Sequence, residues 1–147
     1  MSKFKSFIGD AILEAKKALK LGQIPIGAVV VKDGIVIGRG FNKTKIDGFN
    51  VTDHAEILAI NDACKNLNSK RLDGCDIYIT LKPCAMCFGA IKLAKIRRIY
   101  YACDNDKYNL SKDFSEIANH DVEIYGDIDD AQCSLLLKEF FEKKRLK

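Results

Sequence analysis

The chain has 147 residues, 48% of them hydrophobic, which suits one ordinary domain with its own core. No apolar stretch of about 18 residues is present and the N-terminus is charged, so we expect a cytoplasmic protein without a membrane span or signal peptide. Six cysteines without an export signal favour thiols or metal ligands over a disulfide framework. The net charge of +4 permits nucleic-acid binding without requiring it.

The N-terminal part of the chain is predicted to form a helix followed by a β-hairpin. Apolar residues recur at helical spacing over 3–21, which indicates an amphipathic helix. Runs of β-branched residues at 28–32 and 35–39 flank Asp33-Gly34, a dipeptide typical of a two-residue hairpin turn. Two antiparallel strands should therefore follow the first helix.

The middle of the chain is predicted to alternate between helix and strand. The polar stretch at 40–52 indicates a loop, and apolar spacing predicts a helix over 54–66. The segment 76–81 is rich in β-branched residues and predicts a strand, which Pro83 ends. Helical spacing resumes over 85–95, so a further helix should follow this strand directly.

The last third of the chain is predicted to complete the sheet. Strands are expected at 98–102 and 122–125, and a closing helix is indicated by the apolar residues from Ala131 to Phe141. No repeat, low-complexity segment or linker interrupts the pattern. The sequence therefore predicts a single α/β domain that spans 1–147.

Two short motifs each begin a predicted helix. The spacing Cys84-x-x-Cys87 lets two thiolates reach one metal ion from a single helical turn, and Pro83 directs the chain into that helix. The positive end of the helix dipole favours both thiolates. His54 begins the preceding helix in the same way and is the predicted third ligand. Three protein ligands leave one position for water, so we expect one catalytic Zn²⁺ per chain.

Glu56 supplies a carboxylate beside this predicted site. It lies two residues after His54 and cannot easily be a fourth ligand alongside it. Zinc lowers the pKa of a bound water to ~7, which provides hydroxide at neutral pH. A carboxylate next to such a water can carry its proton to other atoms. We therefore predict that Glu56 is a catalytic proton carrier.

Each motif alone has a simpler explanation. Asp53-x-x-Glu56 matches a capping box, which needs no chemistry, and Thr52 is a further capping residue nearby. The cysteine pair alone also fits a redox pair or half of a structural zinc knuckle. Both motifs at the starts of two helices, about 30 residues apart, favour the metal site. The remaining cysteines are predicted to be buried in the core: Cys64, Cys75, Cys103 and Cys133.

The segments His54-Ala55-Glu56 and Pro83-Cys84-Ala85-Met86-Cys87 together resemble the zinc deaminases of the cytidine and deoxycytidylate type. The resemblance spans most of the chain, from Ile24 to the final helix. Thr80-Leu81 and Gly89-Ala90-Ile91, which surround the cysteines, are similar to one branch of that family. The branch contains the bacterial tRNA adenosine deaminases, the guanine deaminases and the fungal type of cytosine deaminase.

This resemblance implies hydrolytic replacement of the exocyclic amine of a nucleobase by oxygen. Glu56 would then carry protons to the ring nitrogen and to the leaving amine. The resemblance also implies a cytidine deaminase-like fold, with a mixed five-stranded sheet in a three-layer α/β/α arrangement, and a homodimer. It places Asn42, just after the second strand, and Ala55 among the substrate-binding residues. A turn residue is the alternative for Asn42.

The C-terminal region, including Glu123-Ile124 and the basic tail, is similar to that of the tRNA adenosine deaminases. This similarity implies conversion of adenosine to inosine in a tRNA anticodon stem-loop. The chain departs from their pattern at Lys82, where glutamate is usual, at Cys103, where arginine is usual, and in a shortened connection at 105–119. That connection and the segment 38–42 are closer to the fungal cytosine deaminases.

Two other functions stay open. A free-base deaminase acting on cytosine or guanine is the first alternative, since 63–65 and 72–75 resemble guanine deaminases. A non-catalytic, zinc-stabilised binding module is the second, but a structural zinc site has no use for the carboxylate of Glu56. The basic tail at 142–147 also fits a solvated helix end that binds nothing.

Overall fold

The computed structural model describes residues 5–44, 50–104 and 122–145. Within this part of the chain four helices and five strands are found, and every predicted element is present. Their bounds are α1 (Ile8–Lys20), β1 (Gly27–Lys32), β2 (Ile35–Phe41), α2 (Ala55–Leu67), β3 (Asp76–Leu81), α3 (Ala85–Leu93), β4 (Arg98–Cys103), β5 (Glu123–Tyr125) and α4 (Asp130–Arg145).

The strands form one mixed sheet in the order β2-β1-β3-β4-β5. β1 is antiparallel to both of its neighbours, whereas β3, β4 and β5 are parallel to one another. Side chains alternate between the two faces, so that Ala28 and Val30 pack toward α2 and α3 while Val29 and Val31 pack toward α1 and α4. The mixed five-stranded sheet and the three-layer α/β/α arrangement are thereby confirmed.

The first helix begins at Ile8, so the predicted start at residue 3 is wrong. Residues 5–7 precede the helix, and the Ser6 hydroxyl accepts the backbone N–H of Ile8 at 3.2 Å. Phe7 is buried and makes an edge-on contact with the ring of Tyr78. Phe7 thus packs from a non-helical segment, which a periodic pattern does not distinguish from another helical turn.

The predicted hairpin is present, but its second strand is longer than expected. Asp33 and Gly34 both have positive φ, 51° and 75°, as a two-residue type I′ turn requires. β2 continues to Phe41 because Gly40 pairs with Ala28 on β1, so the loop begins at Asn42 and not at residue 40.

Position 40 of β2 needs glycine because the backbone of α2 lies directly against it. A Cβ built on Gly40 would collide with the carbonyl oxygen of Ala55 and lie 2.5 Å from the backbone nitrogen of Ala59. A Cβ on Gly38 would likewise collide with the carbonyl oxygen of Ala59 and lie 2.7 Å from Ala63. The two glycines and three alanines bring backbone against backbone, which fixes α2 over the second strand. None of the described helices is long and apolar enough to cross a bilayer.

Candidate active site

Two helix starts meet at the carboxyl end of β3. His54 is the N-cap residue of α2, with φ −72° and ψ 154°, and Cys84 is the N-cap residue of α3, with φ −74° and ψ 173°. Both residues have extended backbones, and neither side chain caps its own helix within the described structure. Their donor atoms instead face each other, as the two motifs predict.

The three predicted ligands lie together. The His54 Nδ1 atom is 3.7 Å from the Cys84 Sγ atom and 3.5 Å from the Cys87 Sγ atom, and all three donor atoms lie within 4.8 Å of one another. Tetrahedral zinc with ordinary Zn–S and Zn–N bonds separates sulfur and nitrogen ligands by about 3.5 Å. The donor set and its spacing therefore fit zinc, with room for one further ligand.

Hydrogen bonds and burial shift the pKa values of the three predicted ligands in different directions. The hydrogen bond from the Cys87 thiol lowers the pKa of Cys84 to about 4, and the bond to His54 acts in the same direction. The same thiol–thiolate bond, together with burial, raises the pKa of Cys87. The bond to Cys84 raises the pKa of His54. Zinc binds thiolates and neutral imidazole, so zinc binding at this site should release protons and depend on pH.

Glu56 lies in the first turn of α2 and is only 4% exposed. Burial raises the pKa of its carboxyl to about 7, against the opposing effect of its own backbone N–H. A carboxyl that titrates near neutral pH can both accept and donate a proton. The capping-box interpretation of Asp53 and Glu56 is wrong, because α2 has His54 as its N-cap residue and Asp53 lies outside the helix.

The structure places Asn42 at the same end of the sheet. Asn42 follows β2, is 5% exposed, and donates its backbone N–H to the Ile26 carbonyl at 3.1 Å. The next residue, Lys43, donates its N–H to the Asp53 carbonyl at 3.0 Å, which joins the end of β2 to the start of α2. The methyl group of Ala55 is fully buried in the core, so a contact between this side chain and substrate stays a prediction.

An ion pair beside the cysteine motif was not predicted from the sequence. Lys82 and Asp104 follow the ends of β3 and β4, and their Nζ and Oδ2 atoms are 3.6 Å apart. The backbone N–H of Lys82 also donates to the Cys103 carbonyl at 2.8 Å. The sequence feature that could have predicted this ion pair is the succession of two parallel strands, since residues that follow such strands lie together at one edge of a sheet.

The other cysteines behave largely as predicted. Cys75, Cys103 and Cys133 are buried, whereas Cys64 is partly exposed and packs against the core. No disulfide joins any of the six cysteines in the described structure. The shortened connection at 105–119 lies outside the described residues, as do the last two residues of the basic tail.

Comparison with known proteins identifies the family. The chain matches the model of the MafB19-like deaminase family over residues 1–145. It is 39% identical to a tRNA-specific adenosine deaminase of Agrobacterium fabrum, with 99% of each chain covered. A solved structure from work on A-to-I editing by tRNA:A34 deaminases has a TM-score of 0.81 and 38% identity, covering 89% of this chain and 98% of that chain. The solved structure of the guanine deaminase of Bacillus subtilis has a TM-score of 0.67 and 34% identity, covering 78% of this chain and 75% of that chain. The chain belongs to the MafB19-like deaminase family, within the cytidine deaminase superfamily, and is a zinc-dependent deaminase of nucleobases or nucleosides.

Proposed function

We propose that the protein converts adenosine to inosine at the wobble position of tRNA. The observation that carries the chemistry is the meeting of His54, Cys84 and Cys87 beside the buried Glu56. The tRNA substrate is supported by the end-to-end match to tRNA-specific adenosine deaminases, which leaves no large part of either chain unaligned. The proposed partner is accordingly the tRNA anticodon stem-loop, bound by a cytoplasmic homodimer.

In this proposal His54, Cys84 and Cys87 hold the zinc ion. A zinc ion held by these three residues would supply an activated water molecule for attack on the amine-bearing carbon of the base. The Glu56 carboxylate accepts the proton of that water and delivers it to the ring nitrogen adjacent to the reacting carbon. The second proton of the same water, now on the hydroxyl of the reacting carbon, passes through the same carboxyl to the departing amine, which leaves as ammonia while the carbon–oxygen double bond forms.

Asn42 is the proposed orienting residue. The metal site and Glu56 leave the rotation of the ring about the line of attack undetermined. A side-chain amide has one acceptor and two donors, so it can hold the ring edge or the ribose and fix that rotation. Ala55 contributes through its backbone, because the N–H groups in the first turn of α2 have no acceptor within the helix and can donate to substrate.

A free-base deaminase acting on guanine or cytosine is the second candidate. The similarity to the guanine deaminase of Bacillus subtilis favours it. Lys82, immediately before the cysteine motif, departs from the pattern of the tRNA enzymes and so counts against the first candidate. Both candidates use the same zinc site and the same proton carrier, so only the choice of substrate separates them.

The deciding experiment supplies both substrate classes to one zinc-loaded preparation. An anticodon stem-loop with adenosine at the wobble position is incubated in parallel with free guanine, cytosine and adenosine, and inosine and ammonia are measured. We expect inosine in the stem-loop, with kcat/KM falling steeply as salt is added because phosphate contacts release counterions. Turnover of guanine or cytosine without inosine in RNA would contradict the proposal. A stem-loop with guanosine at the wobble position controls for deamination elsewhere.

A further inference from the structure

The second strand lies at an edge of the sheet, and α2 supplies partners for its open side. β2 pairs only with β1 in the described sheet, so alternate backbone groups point away from the strands. The backbone N–H of Arg39 donates to the Asp62 Oδ2 atom at 2.9 Å. The Asn66 Nδ2 atom donates to the Ile37 carbonyl oxygen at 2.8 Å. Asp62 and Asn66, which lie one helical turn apart on α2, thus provide the acceptor and the donor that a further strand would provide to β2.

A β-bulge accompanies these contacts. Val30 pairs with Gly38 and Val31 pairs with Val36, so Ile37 is an extra residue with no partner on β1. Its carbonyl oxygen is the one that Asn66 binds. The bulge therefore gives the far end of α2 a fixed point of attachment on β2, and slippage of the helix along the strand would break both side-chain bonds.

The position of α2 along β2 matters because each carries part of the site at the same end. α2 begins directly after His54 and contains Glu56 in its first turn, whereas β2 ends just before Asn42. We propose that Asp62 and Asn66 are positioning residues, which set the separation between Asn42 and the His54–Glu56 segment. This inference rests on the proposed function only for its effect on turnover.

The expected consequences follow from small displacements. A misplacement of about 1 Å at reacting groups costs roughly 10²-fold in rate, so a fraction of that shift is measurable. A shift of α2 moves both His54 and Glu56, so zinc affinity and kcat should fall together. If these bonds only stabilised an exposed edge, the melting temperature alone would change.

Two nearly isosteric substitutions separate these possibilities. Asn66→Asp replaces the donor with a carboxylate oxygen, which opposes the Ile37 carbonyl, whereas Asp62→Asn retains an oxygen that can accept from Arg39. Asn61→Asp adds the same charge at an exposed position on the same helix and is the matched control. Each variant is assayed for zinc affinity by chelator competition, for kcat and KM, and for melting temperature.

We expect Asn66→Asp to weaken zinc binding and to lower kcat, each by about fivefold or more, with both Asp62→Asn and Asn61→Asp within about twofold of the unmodified protein. A lower melting temperature for Asn66→Asp with unchanged zinc affinity and unchanged kcat would overturn the inference. If zinc affinity falls as expected but no tested base or RNA is deaminated by any form, the positioning role stands and the proposed function fails.

Discussion

The two helices that meet at the proposed zinc site are held in place in different ways. α3 follows β3 through Pro83 and is fixed by burial, since Cys87, Phe88 and Ile91 are fully buried in its short span. α2 also buries apolar side chains in the same core, including Ala59 and Ile60, but it lies in addition on the edge strand through backbone contact at Gly40 and through polar side chains. The position of α3 thus depends on apolar burial next to its own motif, whereas the position of α2 depends also on contacts with a strand that is distant in the sequence.

The two helix starts also contribute different parts of the chemistry, namely metal binding and proton transfer. The start of α3 contributes only metal ligands, so a change there should remove the zinc and every activity that depends on it. The start of α2 contributes both His54 and Glu56, so changes on that side should separate metal binding from turnover. Substitutions on each helix therefore test the comparison directly.

Cys87→Ser is expected to have the largest effect. The hydroxyl is a poor zinc ligand, so we expect loss of the metal, loss of detectable turnover and a lower melting temperature, because metal binding is coupled to folding. Zinc content, activity and thermal unfolding are measured on one preparation. Cys64→Ser, at a partly exposed cysteine on α2, should retain zinc. A metal-free Cys87→Ser protein with normal activity would remove this residue from the site.

Glu56→Gln should keep the zinc and lose the reaction. The amide preserves size but cannot carry a proton, so we expect turnover to fall by at least ~10²–10⁴-fold with an unchanged zinc content. Glu14→Gln is the matched control, because Glu14 is equally buried but lies on α1, where it pairs with Lys17 at 2.7 Å. Turnover of Glu56→Gln near the normal rate would assign Glu56 a purely structural role.

Gly40→Ala tests the contact between α2 and the edge strand. The added methyl group collides with the Ala55 carbonyl oxygen, so the start of α2 must move away from β2. We expect kcat/KM to fall by about 10²-fold and the free energy of unfolding to fall by about 1–3 kcal/mol. Gly9→Ala, in α1, meets no described atom within 4 Å and should instead stabilise the protein by about 1 kcal/mol. Unchanged kinetics in Gly40→Ala would show that the site does not depend on this contact.

Asn42→Ala has the smallest expected effect on the protein as a whole. If the amide orients the base, kcat/KM should fall by ~10- to 100-fold while zinc content and melting temperature stay nearly unchanged. If Asn42 is only a turn residue, the variant melts earlier and has normal kinetics per folded molecule. Steady-state kinetics and thermal unfolding of the same sample distinguish the two roles.

The sequence predicted the parts of the molecule that depend on local chemistry. The Asp33-Gly34 turn and the Cys84-x-x-Cys87 spacing each specify their structure within a few residues, and both are confirmed as structural features. The mixed five-stranded sheet and the three layers came from the family resemblance, whereas the order of the strands was not predicted. His54 had to be matched to the cysteines by analogy between two helix starts, because nothing local to it indicates the residues it will face.

Features that depend on distant contacts were not predictable in the same way. Gly40 was assigned to a loop together with the polar stretch that follows it, although its role is to admit the backbone of α2. The hydrogen bonds of Asp62 and Asn66 to β2 require knowledge of the helix crossing and of the bulge. Without that knowledge, polar residues on an exposed helix face indicate only that this face is in contact with solvent.

The most direct test of the account is X-ray absorption at the zinc edge of the zinc-loaded protein. Convergence of the two helix starts predicts one zinc per chain with two sulfur ligands at about 2.3 Å and two lighter ligands, nitrogen and oxygen, at about 2.0 Å. In His54→Ala we expect either loss of the metal or replacement of the nitrogen ligand by a water oxygen. The two sulfur ligands should disappear only when Cys84 or Cys87 is replaced. A zinc ion with three or four sulfur ligands, or a spectrum unchanged in His54→Ala, would contradict the proposed site.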